Sequence, residues 1–127
     1  MKARISFFIL ILAIMFGLTG CAGSSPTATV KNFYKYVERE QYDKAASLFS
    51  SQALNTYGIQ KLESMLQMQA EQIKQAGGIK SFKVTDQRIV NDQAVVYFEL
   101  TTGDGSVTPG SVNLVKEDGD WKIDTGK

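Results

Sequence analysis

The chain has a single thiol, Cys21, and no histidine. Those two facts remove most of the nucleophilic chemistry open to a small protein. Ser-His-Asp and Cys-His activation both need an imidazole that titrates near neutrality. Zinc sites built from His and Cys fail for the same reason, because Cys21 is the only ligand of either type. What remains is carboxylate and phenol chemistry. Asp86 and Glu99 are the carboxylates to test as a proton-transfer base, a role that requires burial opposite a tyrosine or acid donor. Alternation puts Glu99 on one face with Val95 and Tyr97, opposite Ala94, Val96, Phe98 and Leu100, so it is expected to point outward. Asp86 lies in the polar stretch from Lys83 to Arg88 and reads as solvated. Asp104-Gly105 and Asp118-Gly119-Asp120 lack the ligand spacing of a calcium loop and read as hairpin turns. The expectation is a non-enzyme with no catalytic residue, no metal and no cofactor.

Cys21 has a different chemistry in its own setting. Lys2 and Arg4 precede an apolar run from Ile5 to Leu18 broken only by Ser6 and Gly17. A basic start, a short apolar core and small residues before a cut make a secretory signal. The run is shorter than the ~20 apolar residues that a membrane-spanning helix needs. Leu18-Thr19-Gly20-Cys21 resembles the bacterial lipobox at all four positions. That resemblance implies cleavage between Gly20 and Cys21 and a diacylglycerol thioether, with its palmitate-type chains, on Cys21. The expected product is a lipoprotein of the cell envelope whose domain stands outside the cytoplasm, on the cell membrane or the outer membrane. Ala22 lacks the Asp that resembles an inner-membrane retention signal, which in a two-membrane cell implies the outer membrane.

Removing residues 1–20 leaves 107 residues with twelve basic and thirteen acidic side chains, a net charge of −1. The basic residues are scattered, so no nucleic-acid footprint is expected. A lone cysteine cannot form an intramolecular bridge, so the domain must be held by its apolar core. About 100 residues suffice for one such core.

The elements that would position these groups read in order. Residues 21–25 are the lipidated Cys and a flexible stub, and residues 26–127 form one domain. Ser25-Pro26 is helix-start chemistry, with Ser as cap and Pro at the first helical position. Val30, Phe33, Tyr34 and Val37 follow on one helix face, and the helix ends near Glu40-Gln41. A second, shorter helix opens at Tyr42-Asp43-Lys44 with Ala45, Leu48 and Phe49 on its apolar side. Ser50-Ser51-Gln52 weakens it, and Asn55 to Gly58 reads as a break. A third helix, about Ile59 to Ala76, has an apolar stripe interrupted at Gln69, and Gly77-Gly78 stops it. The period then changes from 3.6 to 2. Phe82-Val84 and Ile89-Val90 share a first strand with a phase slip between them, Ala94 to Thr101 form a second, Val112 and Leu114 belong to a third, and Trp121 and Ile123 to a fourth. Hairpin-turn residues separate them. Pro109 belongs to an edge, a bulge or the loop before the third strand. The fold class expected is α+β: three N-terminal helices packed on one face of a four-stranded antiparallel meander.

Pro26 to Tyr34, then Gln41-Tyr42-Asp43-Lys44-Ala45 with Leu48-Phe49, and the closing Val112 to Asp124 with its Gly119-Asp120-Trp121-Lys122-Ile123, resemble small bacterial lipoproteins with a nuclear-transport-factor-two-like domain. The resemblance implies a cone, a curved sheet wrapped around three helices, and no specific activity or functional residues. Two functional expectations follow. A protein-interaction or dimerisation module would keep an apolar patch on the second sheet face, at Val95, Tyr97 and Val115, for a second copy or an envelope partner. A carrier of small apolar ligands would instead keep a pocket inside the cone, with Tyr34, Tyr57, Phe98 and Trp121 as candidate lining. Most aromatics, including Phe33, Tyr36, Phe49 and Phe82, read as core filling.

Overall fold

The computed structural model describes residues 25–126. The expected signal segment, the expected cleavage and lipidation site at Gly20/Cys21 and most of the expected stub lie outside the described residues. Four helices are followed by four strands: α1 Pro26–Glu38, α2 Tyr42–Ala46, α3 Ser51–Tyr57, α4 Ile59–Gln75, β1 Ile79–Val90, β2 Gln93–Thr102, β3 Val107–Glu117 and β4 Asp120–Asp124. The strands form one antiparallel meander in chain order.

The start of α1 follows its local chemistry. Ser25 is extended, and its Oγ accepts the Ala28 N–H at 3.1 Å, with Pro26 behind it at the first turn. Val30, Phe33, Tyr34 and Val37 are buried, as their spacing requires. The helix closes on a left-handed residue. Glu40 N–H donates to Val37 O, and Gln41 N–H donates to Tyr36 O at 2.8 Å, with Glu40 at φ 58°. α4 ends by the same pair of bonds, but there the left-handed position is Gly77, which adopts it without strain.

Three helices were expected, and four are present. The second helix stops at Ala46 because the next residues pair with the far end of the chain. Ile123 N–H donates to Leu48 O at 2.7 Å and Ser50 N–H donates to Ile123 O at 2.8 Å, a parallel bridge centred on Phe49. Ser50 then begins a new helix. Its Oγ accepts the Ala53 N–H at 3.1 Å, and the Glu117 carboxylate accepts the Ser51 N–H at 3.0 Å. Ser50, expected to weaken the second helix, is the cap of the next, and Ser51 is its first residue. The break falls at Gly58, φ 76°, which ends α3 and precedes α4.

In the sheet, β1 carries irregularities between Ile79 and Ser81 and between Val84 and Asp86, the second at the expected phase slip. Ala94, Val96, Phe98, Leu100, Leu114, Trp121 and Ile123 face the helices and are buried. Pro109 lies within β3 opposite Glu99, where β4 no longer runs alongside, so its missing N–H breaks no ladder on that side. Gly110 faces Phe98. A Cβ there would lie 2.5 Å from the Phe98 ring, so the bare backbone makes room for the aromatic.

Candidate interaction surface

The interior of the cone is filled by rings. Tyr34, Phe82 and Phe98 pack against one another with centroids 4.9 to 5.2 Å apart, and Phe33 meets Tyr34 and Phe49 edge-on at 5.1 and 5.7 Å. Burial pushes the Tyr34 phenol above its ordinary pKa, and a hydrogen bond with the Gln69 side chain partly offsets that. Gln69 was the polar interruption in the α4 stripe. Its place opposite a buried hydroxyl explains why it sits among apolar neighbours.

The four candidate pocket residues do not converge. Tyr34 and Phe98 are packed together inside the core. Trp121 is buried at the other end of the sheet, where its carbonyl accepts the Thr29 hydroxyl at 3.0 Å and Lys116 lies 5.8 Å over its ring. Tyr57 lines a cleft of about 580 Å³ between α4 and the aromatic end of the core, floored by Phe33, Phe49, Leu62 and Leu66, while Tyr34 borders a separate groove beside β1. Met65 and Gln72 on its α4 wall were not singled out from sequence. Half-exposed Met65 is their one readable signal, an apolar helix position at the edge of the buried stripe.

The outer sheet face does bring its candidates together. Val95 and Tyr97 lie two apart on β2. Val115 sits opposite Gln93, one step diagonal to Val95. All three are half-buried. Val90, also opposite Gln93 and 70 % exposed, extends the patch across β1. Arg88 pairs with Val95 in register and holds its guanidinium 5.8 Å from the Tyr97 ring, with the Asp86 carboxylate 3.7 Å away. Arg88, Val90, Val95, Tyr97 and Asn113 border a shallow depression of about 440 Å³, and Val115 lies outside it. Sequence pattern pointed to Val95, Tyr97 and Val115, and Val90 joins them only through the strand register. Arg88 over Tyr97 is a cross-strand contact that only the register reveals.

The two candidate base carboxylates are exposed, Glu99 on the outer face and Asp86 at the β1 irregularity. Asp104 is held below the usual carboxyl range because it accepts the Ser106 N–H at 2.9 Å and the Thr102 hydroxyl at 2.7 Å. Those bonds fix the β2–β3 turn. Among the described residues no three His, Cys, Asp or Glu side chains cluster as metal ligands, and no helix is long and apolar enough to cross a membrane.

A family model, Domain of unknown function (DUF4878), matches residues 19–124, nearly the whole chain. The chain belongs to this family. No curated protein matches it. Among solved structures, the family's fold in this chain is similar to a "Putative NTF2-like transpeptidase" from Campylobacter jejuni. The TM-score is 0.70 at 21% identity, over 81% of this chain and 100% of the other. It is also similar to a SEC-C motif containing protein from Rhodopseudomonas palustris, with a TM-score of 0.58 at 13% identity, over 81% of this chain and 77% of that one. These likenesses establish the nuclear-transport-factor-two-like fold, an α+β domain with four antiparallel strands and four helices.

Proposed function

We propose that this DUF4878 chain is a lipid-anchored, non-enzymatic interaction module of the cell envelope, whose outer sheet face binds a second copy of the chain. The observation that carries the reading is the contrast between a ring-filled interior and an apolar outer face. Val90, Val95, Tyr97 and Val115 are grouped on a surface that an antiparallel sheet would otherwise leave polar. The Leu18-Thr19-Gly20-Cys21 tetrad supports the anchor at Cys21. Two acyl chains on one residue suffice for stable anchoring.

The transpeptidase named for the Campylobacter protein would need an activated nucleophile. Here no histidine exists, and the Ser47 and Ser64 hydroxyls donate to backbone carbonyls of their own helical segments. Ser51 does meet a carboxylate, Glu117 at 3.2 Å, but that carboxylate also accepts the Ser51 N–H as a helix cap. No described serine has a lysine or imidazole as its base.

Sedimentation equilibrium of the full chain in density-matched detergent tests the reading. Dimers are expected, and Tyr97→Lys should yield monomers with an unchanged melting profile. A monomeric wild type at all concentrations would overturn self-association, and an unmodified Cys21 in membrane-derived protein, read by mass spectrometry, would overturn the anchor. The cleft beside Tyr57 favours a second reading, carriage of a small apolar ligand. Native mass spectrometry of gently extracted protein would reveal such a ligand as a discrete added mass.

A further inference from the structure

The two outer strands of the sheet are finished differently. β4 is covered by the Leu48–Ser50 segment, which hydrogen-bonds to Ile123 on both sides. β1 has no such cover. Its twelve residues pair with β2 alone, and no described segment hydrogen-bonds to the backbone of its outer edge. Its two irregularities leave Ser81–Val84 as a regular run opposite Glu99, Leu100, Thr101 and Phe98.

Helix α1 packs on the inner face of the sheet and runs antiparallel to β1, which it meets at two points. Thr27 Oγ1 donates to the Gln87 side chain at 2.7 Å at one end, and Tyr34 packs on Phe82 at 4.9 Å further along. Between helix and strand is a groove of about 380 Å³. Tyr34, Ile79 and Phe82 form its apolar floor, and Lys31, Lys35 and Glu38 stand along its rim. Lys80 follows Ile79 on the strand. Lys31, Lys35 and Lys80 make no ion pair among the described residues, although the chain beyond its signal is slightly acidic. Lys83 lies opposite Glu99 and is balanced by it in part.

We propose that the β1 edge docks an extended acidic peptide of a partner protein. The peptide adds as a fifth strand beside Ser81–Val84 and places an apolar side chain in the groove between α1 and β1. Main-chain bonds to the free edge would supply affinity, the groove would select an apolar residue, and the lysines would select acidic neighbours. The same lysines argue against a second copy as the occupant. Antiparallel edge-to-edge pairing centred between Ser81 and Phe82 would set Lys80 of one copy opposite Lys83 of the other, and edge lysines are a known device for blocking self-pairing. The irregularities at either end limit the added strand to a few residues. This site is separate from the outer sheet face, so binding here and self-association succeed or fail independently.

The test uses the full chain in detergent and a fluorescein-labelled peptide of alternating Glu and Val with one central Phe. Saturable anisotropy is expected, with amide shifts confined to Ser81–Val84 and the Tyr34 region. Lys31→Glu combined with Lys35→Glu should weaken binding about tenfold or more, since each reverses a surface charge at the rim. Both side chains are exposed, so the variant should melt like the wild type. A peptide N-methylated at alternate residues should not bind, because it cannot pair with a strand edge. Equal binding by that peptide, or by one with Lys in place of Glu, would overturn the proposal. So would no binding at millimolar peptide, or shifts that map to another face. Laurate that shifts the same amides while the peptide does not would make the groove a site for anionic amphiphiles instead.

Discussion

The two faces of β2 share one backbone and have opposite fates. Ala94, Val96, Phe98 and Leu100 are sealed under the helices, none more than 9 % exposed. Val95 and Tyr97, alternating with them, are half-covered by their own strand neighbours, and Glu99 is exposed. The inner face of β2 is held by rings and aliphatic groups packed directly against the helices. The outer face is held by little beyond Arg88 lying over Tyr97. Substitutions should therefore divide by face: inner ones should register as lost stability, outer ones as lost association.

The largest effect is expected at Phe98. Its ring touches Tyr34 and Phe82, and Phe98→Ala should cost ~3–5 kcal/mol, a large part of the stability of a small domain. Glu99→Ala, one residue along and on the other face, should stay within about 0.5 kcal/mol. Denaturant melts of the two variants measure the contrast directly, and equal effects would erase the distinction between faces.

Gly110→Ala comes next. Its Cβ would sit 2.5 Å from the Phe98 ring and force that ring from its place, at ~1–3 kcal/mol for overpacking. If that contact is the cause, the same change in a Phe98→Ala background should be nearly neutral. A double-mutant cycle would show the coupling, and additive losses would locate the cost elsewhere.

Ser50→Ala should cost ~1 kcal/mol, as N-cap removals usually do. Amide exchange in this variant should quicken along Ser51–Tyr57 and leave α1 protected. Protection unchanged in both would mean that Ser50 does not hold the start of α3.

How much of this was readable beforehand depended on how local each cause is. The start of α1 lies in Ser25 and Pro26 themselves, and the stop of α4 lies in Gly77-Gly78, so both were legible. Strand alternation told the β2 faces apart because period 2 needs only the strand. The split into a fourth helix was not legible, because what ends α2 is a pairing between Phe49 and Ile123 that no local pattern encodes, although the Ser50 cap that starts α3 is local. The scattered fate of Tyr34, Tyr57, Phe98 and Trp121 was hidden for the same reason: a list of aromatics does not say which of them meet. Arg88 over Tyr97 and Phe98 over Gly110 depend on strand register, which the turn residues constrain but do not number.

The smallest predicted effect concerns the Tyr34 hydroxyl, at the edge of the ring cluster. Burial raises the Tyr34 pKa above the ordinary phenol value of 10.0, so the folded protein holds that proton more tightly than the unfolded chain does. The stability tied to this group is therefore complete below pH ~10 and declines as pH rises through that value toward the folded-state pKa. Tyr34→Phe removes the titration and should flatten the alkaline limb of a stability–pH curve. At neutral pH it should lose only about 0.5 kcal/mol, because partly accessible Gln69 can turn to water for its lost partner. Some slope will persist, since Tyr42 is raised as well, by burial and by the Glu40 and Glu71 carboxylates. Urea melts of both proteins from pH 8 to 11 measure the difference. Identical limbs would mean that the Tyr34 hydroxyl reaches water in solution, and the ring-filled cone would then be looser than the packing of Tyr34, Phe82 and Phe98 implies.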